Sequence, residues 1–126
     1  MVKTVISVLG GSGFLGSHVC DALSIKNFEV IIIDKNKSKW INKNQKYFKA
    51  DINKPETYSH ILKRSKYVFN FAAIADIEEA NKSPIETAKT NILSLVKILD
   101  LCSKFKIKRF IQASSVYVSG NYGGFY

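Results

Sequence analysis

Three glycines at intervals of three residues form the clearest chemical signal near the start of the chain. The segment LGGSGFLGS places Gly10, Gly13 and Gly16 between an apolar run and an amphipathic stretch. Gly10 permits a sharp turn out of a strand, Gly13 lets a pyrophosphate approach the backbone, and Gly16 lets a helix lie close to the sheet. Backbone N–H groups at the helix start would then face the anion. The spacing predicts a dinucleotide-binding loop, with a simple tight turn as the alternative.

An acidic residue closes the next apolar run, FEVIIID. The carboxylate of Asp34 can accept hydrogen bonds from the hydroxyls of an adenosine ribose, and it repels a 2′-phosphate. Lys35 and Lys37 argue mildly in the other direction, because cations near that ribose could hold a phosphate. The sequence therefore favours NAD as the cofactor over NADP.

The composition describes an ordinary globular chain. Its 126 residues are 46% hydrophobic and 23% charged, enough for one hydrophobic core. No apolar run approaches the roughly 18 residues that span a bilayer, so we expect a cytoplasmic protein that does not cross a membrane. Cys20 and Cys102 lie in helical patterns without metal-ligand spacing. We interpret them as buried reduced thiols and expect no metal site.

The net charge of +9 is concentrated in a basic block, residues 35–66, with ten Lys/Arg and two acidic residues. Such a block could attract nucleic acid or a phosphate-bearing ligand. No nucleic-acid motif accompanies it, and its aromatic residues form no recognisable stacking pattern. We therefore interpret its cations as solvated surface and do not predict binding to nucleic acid.

Strand and helix patterns alternate along the chain. Apolar runs predict strands over 3–9, 28–34, 46–50, 66–73 and 108–115. Helical patterns lie over 13–26, over 55–64 with Asn53 as N-cap, and over 83–104. Continuous apolar strands joined by such crossovers are typical of a parallel sheet covered on both faces. We predict one α/β domain over 1–126, a doubly wound parallel sheet in strand order 3-2-1-4-5.

The segment 83–104 is the clearest helix. Ser83 and Glu86 form a candidate capping box at its start. The predicted core stripe shares helical spacing and comprises Ile85, Ala88, Ile92, Leu95, Val96 and Leu99. A second apolar patch, a candidate partner surface, comprises Ile98, Leu101 and Phe105.

These segments resemble the extended short-chain dehydrogenase/reductase family, and within it the NAD-dependent sugar-nucleotide epimerases and dehydratases. GGSGFLGSH is similar to the family's glycine loop, ADI to its adenine-contacting step, and NFAAIAD to its fourth strand, although Asn70 replaces the usual histidine. ETAKTNI is similar to the helix segment in which Asn91 is often a structural, water-linking residue. The resemblance covers only the first half of such an enzyme. It implies a Rossmann-type domain truncated before the substrate domain.

The resemblance also implies binding residues and partners. The implied cofactor contacts are Gly10, Gly13, Phe14, Leu15, Gly16, Asp34, Asp51, Ile52, Phe71, Ala72 and Ala73. The complete enzyme would take a nucleotide-sugar substrate. A homodimer through the 83–105 helix is a further implication.

The resemblance assigns catalytic roles near the end of the chain. IQASSVYVSG is similar to the family's fifth-strand motif, in which Ser115 would hydrogen-bond the substrate oxygen; a serine that caps a turn is the alternative. The family then expects Y-x-x-x-K, which points to Tyr126, with Tyr117 and Tyr122 as rivals. A phenol with a pKa near 10 needs that lysine to act as a base close to pH 7.

Because the printed chain ends at Tyr126, we expect it to be the inactive N-terminal part of a larger enzyme. The alternative is a non-catalytic dinucleotide-sensing module that binds a protein partner.

Overall fold

A computed structural model describes residues 2–119 of the chain, so Tyr122 and Tyr126 lie outside the described residues. The strands are β1 Val5–Leu9, β2 Glu29–Asp34, β3 Gln45–Lys49, β4 Tyr67–Asn70 and β5 Arg109–Gln112. The α-helices are α1 Phe14–Ile25, α2 Ser59–Arg64, α3 Ile77–Lys82, α4 Pro84–Ala88 and α5 Ser94–Lys104. A π-helical turn, Lys89–Leu93, joins α4 to α5, and short 3-10 turns cover Pro55–Thr57 and Val116–Ser119.

The five strands form one parallel sheet in the order β3-β2-β1-β4-β5. This confirms the predicted fold class and strand order. Alternate side chains of the central strands point to opposite faces, so both faces need cover. One core cluster comprises Ile6, Val8, Cys20, Val30 and Ile32. The opposite cluster comprises Leu9, Ile31, Ile33, Tyr58, Ile61, Leu62, Val68, Ile98 and Cys102.

The long helical segment differs from its prediction in the face that it buries. Its buried line consists of Thr90, Ser94, Ile98 and Cys102. Most of the predicted core stripe is exposed instead, namely Ile85, Ala88, Ile92, Val96 and Leu99. Ile98 lies in the core, and Leu101 and Phe105 pack against it, so the proposed partner patch was wrong. The error arose because the stripe was drawn through apolar residues only, whereas two buried positions carry hydroxyls.

The two predicted helix caps have different outcomes. Ser83 occupies the N-cap position of α4, as predicted, but its side chain makes no capping bond, so the capping box does not form. Asn53 is not an N-cap, because the turn that starts at Pro55 has Lys54 in that position. The helix α3, which was not predicted, is capped by Asp76, whose Oδ1 accepts a hydrogen bond from Glu79 N–H at 2.8 Å.

The basic block lies on the surface of the described part of the chain. All ten cationic side chains within 35–66 are exposed. No helix in the described part of the chain is long and apolar enough to cross a membrane. The described residues contain no group of three His, Cys, Asp or Glu side chains placed to hold a metal ion.

Cys20 and Cys102 are free and buried, which confirms their reading as reduced core thiols. Burial raises the pKa of Cys20 from 9.0 to about 12, with Asp21 contributing, and raises that of Cys102 to about 11. Between pH 9 and 11, therefore, the unfolded chain releases thiol protons that the folded chain keeps.

We expect stability to fall as pH rises above 9, by on the order of 1 kcal/mol per pH unit for each thiol. Urea unfolding at pH 8.5 and 10 measures this. A variant with both cysteines changed to alanine should show a smaller decline, and an equal decline in the two proteins would contradict the assignment.

Candidate cofactor cleft

Two adjoining clefts open at the carboxyl ends of the central strands. The strand order reverses between β1 and β4, and in open α/β sheets ligands bind at this switch point. The first cleft has a volume of about 340 Å³ and the second about 620 Å³. Both are lined by Gly10, Gly13, Phe71, Ala72, Ala73 and Ile74, so the two form one continuous groove.

The three glycines of the loop have different constraints. Gly10 has a φ of 71°, and a Cβ there would lie 2.5 Å from the backbone nitrogen of Ala72. A Cβ on Gly16 would collide with the carbonyl oxygen of Gly10. Gly13 is different: its Cβ would meet only the Gly10 oxygen, at 3.4 Å, and would project where both clefts meet. The loop therefore leaves space for a ligand at Gly13, which fits the close approach of a diphosphate.

Helix α1 begins beside this space with its amide groups uncapped. Gly13 is its N-cap residue, no side chain accepts a capping hydrogen bond there, and the first turn carries no acidic residue. The first N–H groups of a helix have no partner inside it and attract anions. Phe14 and Leu15 line the second cleft with largely exposed side chains. This arrangement can hold a diphosphate through main-chain N–H groups.

Asp34 lies at the carboxyl end of β2 and lines the first cleft. Its Oδ2 accepts a hydrogen bond from Ser12 N–H at 3.1 Å, and its Oδ1 accepts one from Asn36 N–H at 3.0 Å. The Tyr47 hydroxyl donates to the Asp34 carbonyl oxygen at 3.1 Å. These bonds orient the carboxylate, and a carboxylate oxygen can accept more than one hydrogen bond. Asp34 can therefore also receive two ribose hydroxyls. Lys35 lines the same cleft.

The loop after β3 forms the far wall of the first cleft. Asp51 and Ile52 lie there, as the resemblance implied. The hydroxyl of Tyr58 donates to the Ile52 carbonyl oxygen at 2.9 Å. Burial raises the pKa of Tyr58, with Asp51 and Glu56 adding to the effect, so this hydroxyl keeps its proton and the bond persists through the neutral range.

Two asparagines hold the loop after β4. Asn70 donates from Nδ2 to Gln112 Oε1 at 2.9 Å and accepts at Oδ1 from Ala72 N–H at 3.1 Å. Asn91 accepts from Ile74 N–H at 2.8 Å and donates to the Ile74 carbonyl oxygen at 2.9 Å. In place of a histidine, Asn70 thus ties β4 to β5. Its position beside a glutamine on the neighbouring strand was not recognised from the sequence.

Ser115 lines the second cleft at the end of β5. Its Oγ accepts a hydrogen bond from Tyr117 N–H at 3.2 Å, which is the turn-capping geometry considered as the alternative. That bond uses a lone pair of the oxygen and leaves the hydroxyl proton to be donated, so the two roles are compatible. Tyr117 is exposed, and the predicted role of Tyr126 falls outside the described residues.

Twelve of the thirteen predicted site residues line the groove. The first cleft includes Gly10, Gly13, Asp34, Asp51, Ile52, Phe71, Ala72 and Ala73. The second cleft adds Phe14, Leu15, Gly16 and Ser115. A loop of bare amides and an oriented carboxylate on the adjacent strand together suit a dinucleotide. Residues 6–125 match the NAD dependent epimerase/dehydratase family.

The chain belongs to this family. The predicted family and its cofactor, NAD, are thereby confirmed. The chain is 32% identical to the dTDP-D-glucose 4,6-dehydratase of Dictyostelium discoideum, over 91% of this chain and 30% of that protein.

Solved structures of epimerases share the fold. The UDP-glucose 4-epimerase of Thermotoga maritima, with UDP-glucose, is 34% identical with a TM-score of 0.82, over 89% of this chain and 38% of that one. The UDP-N-acetylglucosamine 4-epimerase of Methanobrevibacter ruminantium, in complex with UDP-N-acetylmuramic acid, is 33% identical with a TM-score of 0.85, over 98% and 42%. The chain thus spans less than half the length of these epimerases.

The glycine geometry predicts opposite consequences for two alanine substitutions. Gly16→Ala should lower the free energy of unfolding by more than about 2 kcal/mol, since backbone atoms must move to admit the new carbon. Gly13→Ala should change it by less than about 1 kcal/mol, because the space around Gly13 is open. Urea unfolding of the two variants beside the wild-type chain measures both. Equal losses would show that the loop packs differently.

Proposed function

We propose that this chain binds NAD as the cofactor domain of a longer nucleotide-sugar epimerase or dehydratase. The observation that carries the proposal is the open space at Gly13, where the uncapped start of α1 meets the groove. The family match over 6–125 supports it, and so do the names of the related epimerases and dehydratase. The whole protein would act on a sugar attached to a nucleoside diphosphate.

We assign each part of NAD to particular groups of the groove. The N–H groups at the start of α1 bind the diphosphate, Asp34 accepts from the adenosine ribose, and Asp51 with Ile52 borders the adenine. NAD held by these groups would supply reversible hydride transfer with a sugar carbon. Phe71, Ala72 and Ala73 line both clefts and would contact the dinucleotide along the centre of the groove.

Ser115 and a tyrosine would handle the proton. Ser115 donates its hydroxyl proton to the reacting sugar oxygen and so holds the sugar beside the groove. Tyr126 is the proposed base, and it needs the lysine of Y-x-x-x-K to lower its pKa. A lysine at the fourth position after that tyrosine in the complete protein favours the enzyme over a dinucleotide sensor. Two buried free thiols suit a reducing compartment, and we place the protein in the cytoplasm.

Calorimetric titration of the chain with NAD and NADP tests cofactor binding. We expect NAD to bind at least about tenfold more tightly, because the oriented Asp34 carboxylate accepts ribose hydroxyls and repels a 2′-phosphate. Asp34→Asn should weaken the binding of NAD and reduce the ratio of the affinities for NAD and NADP to about threefold or less. Asp100→Asn is the matched control, since Asp100 pairs with Lys104 on the surface of α5, and it should leave both affinities unchanged. Equal binding of NAD and NADP by the wild-type chain would reject the cofactor assignment.

We also propose that the protein forms a homodimer through the exposed apolar face of the long helical segment. This face comprises Ile85, Ile92, Val96 and Leu99, which are 73%, 64%, 57% and 43% exposed. These apolar residues recur on one side of the helical segment and stay exposed among residues 2–119, which is typical of an interaction surface. As the proposed dimer interface, this face replaces the predicted patch around Ile98, which is buried in the core.

Sedimentation equilibrium tests the dimer. The wild-type chain should have twice the mass of one chain, and Val96→Glu should have the mass of one, because the interface would bury an unpaired charge. Ile25→Glu is the control, an equally drastic change at an exposed residue at the end of α1, and it should stay dimeric. A monomeric wild-type chain, or a dimer that tolerates Val96→Glu, would disprove this interface.

A further inference from the structure

Asn53 joins the loop after β3 to the helical segment that follows α4. Its Nδ2 donates to Thr90 Oγ1 at 3.1 Å, and its Oδ1 accepts from Ser94 Oγ at 2.5 Å. Thr90 and Ser94 are only 8% and 2% exposed. Hydrogen bonds shielded from water are costly to break, since each partner would be left unsatisfied. Asn53 is therefore held in one orientation.

Two partners of Asn53, Thr90 and Ser94, lie on and directly after the π turn Lys89–Leu93, and a third, Glu86 of α4, accepts from its Nδ2 at 3.4 Å. Ser94 closes this turn, because its N–H bonds the Lys89 carbonyl and its Oγ lies 3.0 Å from the same oxygen. The turn also carries Asn91, whose amide makes both bonds to the backbone of Ile74. One short segment thus forms hydrogen bonds with the loops after β3 and β4. A π turn interrupts the regular ladder of a helix and is frequently found at functional sites.

The anchoring of Asn53 also constrains Asp51, the residue that we place beside adenine. The N–H of Asn53 donates to Asp51 Oδ1 at 2.9 Å, and Lys54 N–H donates to the Asp51 carbonyl oxygen at 3.0 Å. The orientation of the Asp51 carboxylate therefore depends on where the backbone of Asn53 lies. Both Asp51 and Asn53 line the first cleft.

The geometry points to Asn53 as a positioning residue that, through Thr90 and Ser94, aims the Asp51 carboxylate at the amino group of adenine. This inference rests on the proposed binding of NAD and adds selectivity for the base. A fixed carboxylate accepts a hydrogen bond from the exocyclic amino group of adenine, whereas hypoxanthine carries an oxygen acceptor at that position. The site then rejects hypoxanthine because two acceptors would face each other.

Calorimetric titration with NAD and with nicotinamide hypoxanthine dinucleotide tests this role. The wild-type chain should prefer NAD by about tenfold, as expected for one hydrogen bond to a charged group. Asn53→Ala should reduce that preference to about twofold or less. Thr90→Val, which keeps the shape of the side chain and removes its hydroxyl, should reduce it to about threefold, and the double variant should lose no more than Asn53→Ala alone.

The preference between NAD and NADP serves as the second readout. It depends on Asp34 and should stay unchanged in both variants. Thr87→Val is the matched control, because the Thr87 hydroxyl bonds only the carbonyl of Ser83 within its own helix, and it should keep the full preference for adenine. A merely structural role of Asn53 would weaken both dinucleotides equally.

The outcomes separate this inference from the function on which it rests. Wild-type chain that binds neither NAD nor its hypoxanthine analogue rejects both. Wild-type chain that binds the two equally, or an Asn53→Ala and a Thr90→Val variant that both keep the tenfold preference, overturns the role of Asn53 while NAD binding stands. Loss of the preference in both variants, with Thr87→Val unaffected, supports it.

Discussion

The close approach of the β1–α1 turn to the loop after β4 is the constraint on which the groove depends. Gly10 N–H bonds the Ile33 carbonyl oxygen at 2.9 Å, and Phe71 N–H bonds the Leu9 carbonyl oxygen at 2.8 Å, so the turn is fixed to a strand on each side. Its backbone then passes so near Ala72 that no side chain fits at Gly10. Because the turn lies so close to the loop after β4, the start of α1 faces the groove instead of covering it.

The shape of the groove depends on polar side chains as well as on the glycines. The loops on either side of the groove are held by buried or half-buried amides, Asn70, Asn91 and Asn53, that bond backbone or hydroxyl groups. Loops held by such bonds lose little freedom when a ligand binds, which favours affinity. The π turn between α4 and α5 is the centre of this support, since it reaches the loops after β3 and β4 together. The cofactor groove is therefore as much a product of the long helical segment as of the sheet.

The fold and most of the candidate site could be predicted because their signals are local. Apolar runs such as EVIIID have one reading in a doubly covered sheet, and the spacing of Gly10, Gly13 and Gly16 has a physical reason at each position. Asn53 was misread because a polar residue before a helix usually caps it, whereas in the tertiary structure its side chain bonds Thr90 and Ser94. The buried face of the long helical segment was misread because the predicted stripe was drawn through apolar residues only. Thr90 and Ser94 are polar by composition, yet they are buried because Asn53 satisfies their hydroxyls.

The placement of these residues separates cofactor binding from chemistry along the chain. Every group that we assign to the diphosphate, the ribose and the adenine lies between β1 and the loop after β4. The π turn hydrogen-bonds to the loops after β3 and β4. Ser115, which we propose to contact the substrate, lines the second cleft and follows the edge strand β5. Because β5 pairs only with β4 within the described sheet, Ser115 is positioned from one side only. The groups assigned to the cofactor therefore follow strands that are paired on both sides or lie on the loops beside them, whereas Ser115 follows a strand with one neighbour in the described sheet.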